Sequence, residues 1–152
     1  MKKPKMMRER IRRVSVLFKE LGYELQDNEY FDDTFTAGIL SDDGFQAGMF
    51  IDKESKFLEL AFTFSFSPSL SEFIKERIEE MLHIAYEFGC YISIQNSSRE
   101  ISFSLFSKIY YVGLNYLTLR ETLKDFRGAI DALQEILEIQ KEFGKGASHG
   151  DS

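Results

Sequence analysis

A single cysteine, Cys90, stands among the 152 residues, so no intrachain disulfide can form and the fold has to rest on packing alone. Tryptophan is absent, and proline and histidine occur twice each. With so few imidazoles, acid–base catalysis and zinc ligation both lose their commonest side chain. His83 falls within a helical pattern, between Leu82 and Ile84, and His149 lies in a glycine-bearing tail. The acidic pairs Asp32-Asp33 and Asp42-Asp43 lack the alternating ligands of a calcium loop and read as connector and turn residues. Gly38, Gly44 and Gly48 fall in strands and a turn, not between a strand and a helix, so no phosphate cradle is spelled out. A thiol just past a helix C-terminus has no positive dipole to activate it, and Cys90 reads as a small core residue. Neither a cofactor, a metal nor an enzyme active site is expected.

Also lacking is an uncharged apolar run long enough to span a bilayer. The basic start leads into an apolar stretch at 14–18 that stops at Lys19, too short for a secretion signal. The expectation is a cytoplasmic, reducing setting without a membrane. Asn96-Ser97-Ser98 is then a chance glycosylation sequon.

What the chain has in quantity is phenylalanine. Fifteen Phe and seven Tyr exceed what a core of this size asks for, which points to apolar surface kept for a partner. At this length one core buries roughly 70% of the extended chain's surface, so a single domain is expected over 1–143, with a disordered tail over 144–152. Charge is uneven. The first 13 residues carry a net +6 and the remainder −12. A basic arm suits phosphate, but the acidic body repels polyanions, and nucleic-acid binding is disfavoured.

Hydrophobic spacing predicts the elements. Met7, Ile11, Val14, Phe18 and Leu21 mark a first helix ending at Gly22, whose lack of a Cβ suits a left-handed C-terminus, with Tyr23 packing back on the last turn. Three alternating strands follow an acidic connector at 27–33. Phe35, Ala37 and Ile39 lie on the first, Phe45, Ala47, Met49 and Ile51 on the second, and Leu58, Leu60, Phe62, Phe64 and Phe66 on the third. Ser69 and Glu72 suggest a capping box for a second helix running to Gly89, and two strands at 90–95 and 100–112 come next. Thr118 and Glu121 suggest another box, opening a helix that runs to about Phe143. Its heptad seam is Leu119, Leu123, Phe126, Ile130, Leu133 and Leu137.

The resulting expectation is an α+β fold, an antiparallel sheet with helices packed on one face, in the order α-β-β-β-α-β-β-α. If the large residues of these strands face the helices, Phe50, Phe57, Tyr91 and Phe106 point to the other side, where soluble monomers rarely keep large aromatics. Those four are the candidate partner-binding residues.

The element order, together with the stretch from Ala85-Tyr86-Glu87-Phe88-Gly89-Cys90-Tyr91-Ile92-Ser93-Ile94 through Arg99-Glu100-Ile101-Ser102-Phe103, resembles two groups. One is the class I type III secretion chaperones; the other is the YbjN-like family of bacterial sensory-transduction regulators. The choice between them stays open. The resemblance implies a homodimeric protein-binding module that carries no catalytic residues. It is chaperone-like or an adaptor, holding a partner polypeptide extended against apolar sheet and helix surface. The alternative from another class is a signalling or transcriptional regulator that uses the basic N-terminal arm on nucleic acid.

Overall fold

A computed structural model describes residues 4–138. Its helices and strands are α1 (Lys5–Glu20), β1 (Tyr23–Phe31), β2 (Thr34–Ser41), β3 (Gln46–Asp52), β4 (Phe57–Phe66), α2 (Ser71–Lys75), α3 (Ile78–Glu87), β5 (Tyr91–Asn96), β6 (Ile101–Tyr110) and α4 (Tyr116–Ile136). The strands form one six-stranded antiparallel sheet in the order β1-β2-β3-β4-β6-β5. The α+β class predicted from the alternation is therefore what the chain adopts, with a fourth strand ahead of the three expected.

The described residues gather into two compact units, 4–61 with 108–123 and 62–107 with 124–138. The boundary falls inside β4, β6 and α4, where the sequence carries no linker signal.

In the first unit, α1 lies against β1 and β3, with Met7, Val14 and Phe18 buried. Alternate residues of β2, β3 and β4 make the facing row: Phe35, Ala37, Ile39, Met49, Ile51, Leu58 and Leu60 are all buried. Gly22 takes φ +87°, and the Tyr23 ring packs edge-on against Phe18 with centroids 5.8 Å apart, as the helix-ending pattern predicts.

The expected connector at 27–33 is instead mostly strand. β1 pairs with β2 from Tyr23↔Ser41 to Phe31↔Thr34, but the register slips between Gln26 and Glu29, where Asp27 adopts φ 53°. That bulge breaks the alternation and hides the strand from a period-two reading. Asp32 and Asp33, both at positive φ, form a two-residue turn into β2, a position where short acidic side chains tolerate the left-handed region.

In the second unit the buried row is Phe64, Phe66, Ile101, Phe103 and Leu105, with the Phe64 and Phe103 rings stacked at 4.7 Å. Ile74, Met81, Ile84 and Ala85, together with Phe126, Ala129, Ile130, Leu133 and Leu137, supply the buried helix faces. The whole predicted heptad seam of α4 is buried.

Helix boundaries differ from expectation at four points. Ser67, not Ser69, does the capping: its hydroxyl accepts from the Ser69 N–H at 3.2 Å and opens a 3-10 turn at Pro68–Leu70. The second helix is broken into α2 and α3 at Glu76 and Arg77. There the Arg77 guanidinium donates to the Phe73 carbonyl at 2.8 Å and to the Ile136 carbonyl at 3.2 Å, lying 3.7 Å over the Phe73 ring.

At α4 the box shifts by three residues. Asn115 accepts from the Thr118 N–H at 2.9 Å while the Thr118 hydroxyl accepts from the Asn115 N–H at 3.0 Å. Asn is the stronger cap, and Thr118 takes the reciprocal role expected of a glutamate. The same helix closes at Ile136, because Glu138 turns to φ 59°. The expected continuation to Phe143 beyond that point, and the predicted tail at 144–152, lie outside the described residues.

Candidate functional site

Strand alternation puts Phe50, Phe57, Tyr91 and Phe106 on the side of the sheet opposite the buried rows. They form separate groups in the two units.

In the first unit Phe50 stands opposite Glu59 in the β3–β4 ladder, and Phe57 is two residues along β4 on the same face. Both rings are half-buried. The Phe50 ring lies down over Gly48, its Cζ 3.7 Å from where a Cβ would sit. Gly48 is paired with Gly38, and the ring covers the backbone that Gly48 leaves bare. Phe57 meets Tyr110 edge-on with centroids 5.6 Å apart, and the Lys108 ammonium lies 4.5 Å over its ring. Burial pushes the Glu59 carboxyl up, and the nearby Lys108 charge partly opposes this. The group is thus an aromatic cluster carrying one cation and one carboxyl, with Tyr110 52% exposed.

In the second unit Tyr91 and Phe106 are direct cross-strand partners, Tyr91 52% exposed and Phe106 half-buried. Beyond them the face turns polar without charge. Ser93 pairs with Ser104, and the Ser104 and Thr63 hydroxyls are 2.8 Å apart. Large apolar side chains are exposed on neighbouring elements too: Leu82 and Tyr86, one turn apart on α3, and Ile94 on β5. Helix α3 is in contact with β5.

Of these neighbours, Lys108 and Tyr110 were readable from β6, since they follow Phe106 at steps of two. Leu82 and Tyr86 were not, because they lie in sequence among Met81, Ile84 and Ala85, which are buried.

The remaining candidates separate. His83 is exposed on α3, its Nε2 3.5 Å from Glu87. Cys90 is buried, its thiol is pushed up to about 11 chiefly by burial, and Sγ donates to the Phe88 carbonyl at 3.5 Å. Asp33 accepts from the Tyr30 hydroxyl at 3.2 Å, and Asp43 from the Ser41 hydroxyl and the Phe45 N–H. Among the described residues no three of His, Cys, Asp and Glu gather where a metal could be held. An open cavity of about 460 Å³ at the β5–β6 hairpin is lined by Gln95, Asn96, Ser97, Glu100 and Ser102, with one ionisable group among them. Nor is any described helix long and apolar enough to cross a membrane.

No protein-family model matches the chain, and no curated protein does. The chain is similar in structure to an uncharacterized protein from Methanothermobacter thermautotrophicus, with a TM-score of 0.67 and 15% identity over 82% of this chain and 94% of that one. At that identity the likeness concerns the fold.

Proposed function

We propose that the chain is a non-enzymatic protein-binding module of the cytoplasm, chaperone-like or an adaptor, which acts as a homodimer and holds a partner polypeptide on apolar sheet and helix surface. The observation that carries this reading is the aromatic groups opposite the buried rows: half-buried Phe50 and Phe57 with exposed Tyr110 in one unit, exposed Tyr91 with half-buried Phe106 in the other.

The edge strand β5 supports the dimer. Its six residues carry no charge, it pairs with β6 without a bulge, and among the described residues no strand lies on its other side. Two antiparallel copies that keep their sheet faces aligned must pair residues of the same parity. Centred on Ser93, they place Ile92 of one copy opposite Ile94 of the other and Tyr91 opposite Gln95. A centre at Ile94 would instead set Ile92 against Asn96.

Sedimentation velocity at tens of micromolar tests the dimer, and a strict monomer there refutes that half. Partner binding is tested by pull-down from native lysate with Phe57→Ala and Phe106→Ala. The expected result is folded variants, by circular dichroism, that lose what the wild type retains. Loss of folding in both would reassign the rings to the core.

A further inference from the structure

The basic start of the chain plays no part in the surface described above. In α1, residues 6, 9, 10 and 13 share one flank, because positions three and four apart are neighbours on a helix. That flank and the 3-10 turn Tyr111–Gly113 enclose an open cavity of about 250 Å³, lined by Met6, Glu9, Arg10, Arg12, Arg13 and Tyr111. Three guanidiniums against one carboxylate leave it a formal +2.

Two of the arginines are held in place. Arg10 donates to the Ser55 carbonyl at 3.1 Å with its guanidinium 4.1 Å over the Tyr111 ring, and Arg13 donates to the Leu114 carbonyl. Each guanidinium has five N–H donors, so both keep several to spare. Arg12 is exposed and has no partner among the described residues.

Tyr111 presents its ring to this flank, under the Arg10 guanidinium, while its hydroxyl is buried.

We propose that this cavity binds a phosphate dianion, free or as the end of a monoester, with Arg12 and Arg13 donating to its oxygens. A dianion balances the local +2, and the arginine fork fits paired phosphate oxygens. The volume lies below the roughly 300–1,000 Å³ of sites for drug-sized ligands, which suits a small anion. This site is independent of the protein-binding reading.

The test is calorimetric titration of the full chain at pH 7.5 and constant ionic strength, with inorganic phosphate in one arm and phenyl phosphate in the other. Saturable one-to-one binding is expected, with Kd about 1 mM or tighter. Phenyl phosphate at least tenfold tighter identifies a monoester site, and equal affinities identify free phosphate. Arg12→Gln, at an exposed position, should weaken binding at least tenfold. Arg13→Gln should weaken it comparably, with folding checked by circular dichroism. Affinity unchanged in either variant overturns the proposal. So does binding only to an oligonucleotide without a terminal phosphate, which would return the arginines to the nucleic-acid reading.

Discussion

The two edges of the sheet begin alike and end differently. β1 and β5 each follow a helix closed by a glycine at positive φ, Gly22 at 87° and Gly89 at 69°, and each opens on a tyrosine. Tyr23 comes directly after its glycine and is buried against Phe18, whereas Tyr91 comes one residue later and is 52% exposed. That extra residue is Cys90, which takes the inward position and turns the next side chain to the other face. A single step of register therefore decides whether the ring belongs to the core or to the surface. The rest of each strand follows suit. β1 carries Glu24, Asp27 and Glu29 and a bulge, features that discourage pairing at an edge. β5 has neither charge nor bulge.

Substitutions at matched positions can break this comparison. The largest effect is expected from Tyr23→Ala, a loss of about 3 kcal/mol in urea unfolding, because it empties the seat of β1 on α1. Next comes the thiol. With its pKa raised from 9 to about 11 by burial, Cys90 should be alkylated at pH 8 about 100-fold more slowly in the native protein than in urea. A comparable rate would mean that β5 opens at its first residue. The linked stability is fully present below the unfolded pKa of 9 and is lost as pH rises toward 11.

Gly22→Ala and Gly89→Ala should each cost about 1 kcal/mol, since a Cβ at Gly89 meets nothing and one at Gly22 makes only an ordinary contact with Asp42, so that the strain lies in the left-handed backbone. Unequal costs would show that the two helix ends are not equivalent. The smallest effect is expected at Tyr91→Ala, within about 0.5 kcal/mol of wild type in thermal melts. A loss as large as that at Tyr23 would place the ring in the core.

The sequence was most legible where alternation was strict. The buried rows of β2, β4 and β6, the seam of α4 and the glycine ends of two helices could all be read from spacing. It was least legible where one local choice competed with another. The bulge at Asp27 disguised β1 as a connector. Ser67 caps in place of the expected Ser69, and Asn115 in place of Thr118. Arg77 donates to the carbonyls of Phe73 and Ile136 where its helix is interrupted, and the second of these contacts spans 59 residues, which no local pattern encodes. The four candidate aromatics followed directly from parity. Their grouping into a Phe50–Phe57 set and a Tyr91–Phe106 pair depended on strand order.

With β1 blunted at one edge of the sheet, the outer side of β5 is, among the described residues, the edge open to one more strand. The dimer proposed above, if formed through that edge, would end at two chains and would not run on into a fibre. A second copy and an extended client would then compete for the same row of amides. A client docking there would have to split the proposed dimer, and its apparent affinity would fall as the concentration of the chain itself rises.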